Sequence, residues 1–358
     1  MYQSKYRKLI HRLITLVVFA LATACDDNTV LERSMPTAQT PETAANTAAG
    51  PVGEFCPLGV AVETDGMRKL AVIVGVGEYK DDGIPDLAGP PNDARRMYDM
   101  LTGENGYGFP KQNVCLLLDK QADKTGFQDV FNRALVERAR ENDIAVVYFA
   151  GHGGQARDLN QDEPDNRDET LLLHDASSAD ASMDLTDDEL HVMLTKLNIQ
   201  TPNITLILDS CNSGSAQRGP DAGTYVARFF GRDLADEETT ETEPGDDTGD
   251  AGAELASADL PGLIALTAAR DGTAAMEING QGIFTNALVS TLSEGSDEPM
   301  TYAQLARKVP IKVSSESNQI PSFQGDLERH VFGASGARRP VAWEVINIGE
   351  TLTLGGPP

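Results

Sequence analysis

The sequence predicts an α/β fold built on a mostly parallel sheet with helices on both faces. Three observations lead there. Apolar runs such as Lys69–Val76 (KLAVIVGV), Ile144–Ala150 (IAVVYFA) and Ile204–Leu208 (ITLIL) are continuous, the pattern of strands buried on both faces. Stretches with helical periodicity alternate with them. Two of the runs break into glycine-rich turns, Gly151-His152-Gly153-Gly154 and Asp209-Ser210-Cys211-Asn212-Ser213-Gly214.

The elements follow in order. Lys69–Val76 is the first strand, and Asn92–Leu101 is a helix with Ala94, Met97, Tyr98 and Leu101 on one face and Asn92 or Asp93 available as cap. Asn113–Leu118 (NVCLLL) is the second strand and Lys124–Glu141 a long amphipathic helix. The strand leading to His152 comes next, then a helix over Asp187–Leu197 opened by Thr186 or Asp187, then the strand leading to Cys211. Asp233–Asp259 holds eleven acids and no Lys or Arg, so it reads as a solvated, disordered insert. Order resumes with a strand at Gly262–Ala268 and helices near Phe284–Leu292 and Tyr302–Val313. Val341–Ile348 is a further apolar stretch without an assigned place.

In an open α/β sheet, catalytic groups collect just past the carboxyl ends of the strands. His152 and Cys211 are delivered there as a base and a nucleophile. An imidazole can take the thiol proton and later protonate a leaving amine, while backbone N–H groups of tight turns can hold a developing oxyanion. Gly153 and Cys211 are the natural N–H donors. The bland alternative is that both side chains simply pack. A serine hydrolase using Ser210 or Ser213 would need a G-x-S-x-G turn, which the sequence lacks.

The first 25 residues combine Lys5, Arg7, Lys8 and Arg12 with an apolar stretch, Leu13–Leu21, too short to span a bilayer, and so read as an export signal. Leu21-Ala22-Thr23-Ala24-Cys25 resembles a bacterial lipobox in which Cys25 is lipidated, although the leucine sits four rather than three positions before the cysteine. The alternative is an ordinary secretory signal cut nearby. Residues 26–66 are expected as a flexible tether. The protein is then exported to the bacterial cell envelope, periplasmic or surface-facing, and held at a membrane by lipid. Losing the four basic leader residues takes the net charge from −26 to −30, which argues against nucleic acid as a partner. With Cys25 lipidated, Cys56, Cys115 and Cys211 remain. Cys56 and Cys115 either form a disulfide and leave Cys211 as the free thiol, or all three stay reduced.

GHGG and DSCNSG, with His152 and Cys211 59 positions apart, resemble the caspase-type cysteine peptidases, and more closely the metacaspases and bacterial orthocaspases. LAVIVGVGEY, LAGPPNDA, DETLLLHDA, DDEL, LTAARDGTAAMEI, GIFTNAL, TYAQLARKV and QIPSFQGD carry the resemblance across residues 68–335. It implies a caspase-like fold with a six-stranded sheet over 67–335. That range divides into a large-subunit region (67–218), an acidic linker (219–260) and a small-subunit region (261–335), followed by a tail (336–358). It also implies a Cys211–His152 dyad that cleaves protein or peptide substrates after Arg or Lys. Asp93 and Asp209 would line the acidic specificity pocket, since paired carboxylates can bind a guanidinium bidentately. Without the resemblance, Asp93 reads as a helix cap and Asp209 as a turn residue.

The resemblance further implies calcium as an activator, with none required for the chemistry, held by Asp168, Asp187 and Asp188. Asp187 and Asp188 are equally served by a helix start. Arg218 stands where the family has a further acid, Asn212 where it has His, Ala150 where it often has Ser, and Pro90 where it has Cys. Arg218, Arg228 and Arg232, between nucleophile and acidic insert, are candidate self-cleavage sites. An inactive relative that binds peptides through the same cleft is the alternative function.

Overall fold

The computed structural model describes residues 56–160, 166–211, 225–232, 260–270, 273–295 and 298–333. The strands are β1 (Lys69–Gly75), β2 (Val114–Leu118), β3 (Ile144–Ala150), β4 (Gly153–Arg157), β5 (Arg167–Leu171) and β6 (Leu185–Thr186), followed by β7 (Ile204–Asp209), β8 (Tyr225–Ala227), β9 (Leu263–Thr267), β10 (Met276–Ile278), β11 (Gln281–Gly282) and β12 (Ser322–Gln324). The helices are α1 (Pro90–Thr102), α2 (Lys124–Phe131), α3 (Asp187–Gln200), α4 (Ile283–Leu292) and α5 (Tyr302–Ser314).

The main sheet has six strands in the order β12-β9-β7-β3-β1-β2. All pair in parallel except β12, which runs antiparallel to β9 at the edge. Both faces of the sheet are covered, which is why its strands lack polar alternation. On β1, Leu70, Val72 and Val74 join one apolar cluster with Phe127, Val130, Leu190 and Leu194 of α2 and α3. Ala71 and Ile73 face the other way, onto Ala94, Met97 and Leu101 of α1, Leu288 of α4 and Leu305 of α5. Each such large side chain contributes roughly 1.5–3 kcal/mol by leaving water.

Several expectations need correction. The single helix expected over Lys124–Glu141 stops being α-helical at Phe131 and passes into a π-turn over Asn132–Val136. A new turn then forms, with Asp143 accepting from the N–H groups of Arg68 and Arg140 and pairing with the Arg68 guanidinium at 2.5 Å. Neither Asn92 nor Asp93 caps α1. Its cap position is Gly89, with no side-chain bond, and Pro90 and Pro91 open the first turn. α3 does open on Thr186, which forms a capping box with Glu189.

Two small antiparallel sheets, β4-β5-β6 and β8-β10-β11, were not foreseen. Their strands are two to five residues long and carry glycine and charge, so no periodicity marks them. Residues 1–55, the insert 233–259 and the stretch 341–348 lie outside the described residues. Among the described residues, no helix is long and apolar enough to cross a membrane.

The end of the expected tether, residues 56–66, is instead pinned to the domain. Cys56 forms a disulfide with Cys115 on β2, and Val62 exchanges hydrogen bonds with the Asn113 side chain. Closing a loop across 59 positions stabilises the fold by about 4 kcal/mol on a chain-entropy account. Reduction, or Cys56→Ser, is therefore expected to lower the unfolding free energy by a few kcal/mol in a urea titration.

Candidate active site

The register of the central strands positions the two candidate catalytic residues. β3 and β7 are neighbours, and Ala150 of one is paired with Asp209 of the other. His152 and Cys211 each lie two residues past that pair, at the carboxyl edge of the sheet. His152 is fixed from three sides. Its N–H donates to the Tyr79 hydroxyl at 2.8 Å, its ring lies 5.3 Å from the Tyr79 ring, and Nε2 is 2.9 Å from the Pro85 carbonyl. A carbonyl only accepts, so Nε2 carries the proton and Nδ1 keeps the lone pair. Nδ1 is buried and without a hydrogen-bond partner.

The Cys211 thiol is the free thiol of the described residues. It is not hydrogen-bonded to His152. Sγ lies 3.2 Å from the Ala275 carbonyl and 2.8 Å from the Ala275 N–H. Burial pushes the thiol up to about 12 and the imidazole down to about 4, so both are neutral at neutral pH. Part of the cover over the site is a further segment of the chain.

That segment is Tyr225–Arg232. β8 pairs antiparallel with β10, setting Ala227 opposite Met276 and Tyr225 opposite Ile278. At the next residue, the Arg228 N–H donates to Ala275 O at 2.9 Å. The Arg228 carbonyl accepts from two N–H groups, that of Gly153 at 3.0 Å and that of Cys211 at 3.1 Å. The chain runs on past Gly153, whose carbonyl accepts the Phe230 N–H at 2.9 Å. A peptide thus crosses the site with one carbonyl fixed over the thiol-bearing turn.

The side chain of that residue fills an acidic pocket. Arg228 is fully buried, with Nη2 2.5 Å from Asp93 Oδ2 and 3.4 Å from Glu277 Oε2, and Nη1 2.9 Å from Asp209 Oδ2. Asp93 also accepts the Gly282 N–H, and Asp209 is oriented by the Thr285 N–H and hydroxyl. Three carboxylates face one guanidinium. Burial works against the Arg228 charge, but Asp209, Asp93 and Glu277 outweigh it and hold the group protonated. Burial likewise pushes the Asp93 carboxyl up to about 7 against the pull of Arg228. Gly89 and Gly282 form the pocket walls. Both have ordinary backbone angles, so what they supply is space: a Cβ on Gly89 would meet Arg228 Nη2 at 2.5 Å, and one on Gly282 would meet Nη1 at 2.7 Å.

Of the linker arginines among the described residues, Arg228 sits in this pocket and Arg232 does not. Arg232 is held four residues further on by Asp184, and Arg218 lies outside the described residues. Sequence reasoning missed Glu277, Tyr79, Pro85 and Asp184. Glu277 and Tyr79 lay in segments already noted for the resemblance, but neither carried a spacing signal of its own, and the Pro85 contact uses a backbone atom. Asp168 lies on β5, with Asp187 and Asp188 in the first turn of α3. Among the described residues, no three His, Cys, Asp or Glu side chains gather as a metal ion requires, so no step below runs through calcium.

One pH consequence is direct. In the uncleaved protein, His152 should stay neutral from pH 8 down to about 5 and titrate only around 4, observable as imidazole NMR shifts that are constant over the upper range with the proton on Nε2. The unfolded chain's histidine takes its proton near 6.5. This depressed pKa therefore costs the fold about 3 kcal/mol of stability as pH falls from 6.5 to 4, and nothing above that window.

Comparison with known proteins gives the family. Residues 68–332 match the caspase domain family. Metacaspase-1 of Schizosaccharomyces pombe is 26% identical over 296 residues, covering 72% of this chain and 67% of that protein. Metacaspase-1 of Ajellomyces capsulatus is 33% identical over 154 residues, covering 42% of this chain and 41% of its own length. The equivalent protein of Saccharomyces cerevisiae is 33% identical over 153 residues, covering 41% of this chain and 34% of its own length. The chain thus spans well under two thirds of these last two relatives. A crystal structure of a Geobacter sulfurreducens protein superposes with a TM-score of 0.53 at 21% identity, covering 74% of this chain and 98% of that one, a likeness of fold alone. With the match extending over most of its length, the chain belongs to the caspase domain family.

Proposed function

We propose that the protein is a cysteine endopeptidase that cuts after Arg, and more slowly after Lys, and that its first substrate is its own Arg228–Phe229 bond. The observation that carries this reading is the double placement of Arg228, with its carbonyl on the Gly153 and Cys211 N–H groups and its guanidinium among Asp93, Asp209 and Glu277. Both ends of the guanidinium fork are engaged, a fit that a single ammonium matches less well.

The chemistry follows from the groups present. His152 Nδ1 takes the Cys211 proton as Sγ attacks the Arg228 carbonyl carbon. The oxygen gains charge against two fixed N–H donors, the usual principal source of rate in acyl transfer. His152 then returns the proton to the Phe229 nitrogen as the C–N bond breaks, leaving Arg228 as a thioester that water hydrolyses. Because thiol and imidazole rest neutral, the proton moves during attack. The proposed reaction uses these protein groups, and calcium, which the resemblance implies as an activator, is varied in the test.

Lipidation at Cys25 and residence in a bacterial envelope complete the proposal. The Cys56–Cys115 disulfide supports export, since such bonds persist in oxidising compartments. Substrates are proteins with accessible basic residues. The test is a fluorogenic Arg peptide offered to purified protein with and without calcium. Wild type is expected to cleave it at least about a thousandfold faster than Cys211→Ala. Equal rates in every condition would leave a peptide-binding module instead.

A further inference from the structure

The segment beyond the scissile bond is held as firmly as the segment before it. Arg232 is the fourth residue after Arg228, and its side chain is almost entirely buried. Nη1 and Nη2 bond to the two carboxylate oxygens of Asp184 at 2.6 and 2.8 Å, and Nε donates to the Ser177 carbonyl at 2.8 Å. All three nitrogens of the guanidinium therefore donate a hydrogen bond. Asp184 is fully buried and receives one further bond, from the Thr170 hydroxyl at 2.9 Å. The Arg232 guanidinium lies 5.4 Å over the Phe230 ring, which in turn is 6.5 Å from the His152 ring. Nothing in this second pocket comes from the linker except its occupants. Asp184, Thr170 and Ser177 belong to the large-subunit region, and the loop between is fixed where the Ser178 N–H and hydroxyl bond to Asp81 Oδ2.

From this arrangement we infer that the enzyme has a second arginine-binding subsite, centred on Asp184, that reads the fourth residue after the cut. Its preferred substrate is then a strand with two arginines separated by three residues, the second of which is aromatic, as in Arg228-Phe229-Phe230-Gly231-Arg232. The inference rests on the peptidase reading above and adds the substrate class. It also explains how one linker bond is singled out, because a basic residue alone does not satisfy both pockets. A bidentate, desolvated pair of this kind is expected to change kcat/KM by on the order of 10- to 100-fold.

The test uses the full chain. In cis, the rate at which a Phe229 N-terminus appears is compared for wild type, Arg232→Lys and Arg232→Ala, with Arg232→Ala expected to be the slowest. In trans, self-processed Arg232→Ala enzyme, whose own arginine no longer fills the subsite, is given two quenched peptides, TYVARFFGRD and TYVARFFGAD. A preference of 10- to 100-fold for the first is expected, and Asp184→Asn introduced into that enzyme should bring the ratio close to one. Equal cis rates, with both peptides cut equally in a Cys211-dependent manner, would overturn the subsite and leave the peptidase reading standing. Cleavage of neither peptide, with no processing in cis by wild type, would overturn the reading beneath it.

Discussion

Arg228→Gln is expected to leave the chain in one piece. Glutamine matches the length of the arginine stem but brings no charge to a pocket containing Asp93, Asp209 and Glu277, so the three buried carboxylates would lose the cation they share, with Arg96 left at 4.0 Å from Asp93. The docked segment should leave the site and its carbonyl lose the Gly153 and Cys211 N–H groups. Sites built around a specific polar partner reject analogues lacking it by very large factors, so the loss in self-cleavage should be at least about a thousandfold. Arg228→Lys keeps the charge but engages one side of the fork, and should process at an intermediate rate. Intact-mass spectrometry after a timed incubation reads both.

Gly282→Ala should impair Arg recognition by crowding the pocket at both the guanidinium and Asp209. The φ of −66° and ψ of 131° at this position suit alanine. The added Cβ, however, would crowd the buried Asp209 carboxylate most closely, and would fall 2.7 and 2.8 Å from the two Arg228 guanidinium nitrogens. Overcrowding of this kind costs roughly 1–3 kcal/mol, equivalent to about 10- to 100-fold in kcat/KM for an Arg peptide. The effect should fall mainly on KM, because the His152–Pro85 contact and the oxyanion donors stand apart from the pocket wall. In a Cys211→Ala background, where Arg228 fills the pocket, the same crowding should lower the thermal transition modestly, and retention of a single cooperative unfolding step separates pocket blockage from misfolding.

Much of the fold was legible because both faces of the sheet are apolar. Lys69–Val76, Ile144–Ala150 and Ile204–Leu208 each landed within a residue or two of β1, β3 and β7, as buried parallel strands announce themselves by composition. What sequence could not show was short, polar and set by distant partners. β8 is three residues of a linker, and only its pairing with β10 makes it a strand. Asp93 illustrates the same limit within the site. Its position alone suggested a helix cap, and only the family resemblance pointed to an acidic pocket; the side chain turns inward to Arg228, 135 positions away. His152 and Cys211 were visible from their glycine turns. Their neutral resting state was not, since it arises from burial among distant elements, the Ala275 backbone and the Arg228 segment included, that no local pattern ties to them.

The measurement that tests this account most directly is N-terminal sequencing of purified wild-type protein after incubation, beside Cys211→Ala. The account predicts a new N-terminus at Phe229 in wild type and none in the variant. A Cys211-dependent cut at any other residue, or an intact chain in conditions where wild type cleaves an Arg peptide, would contradict it.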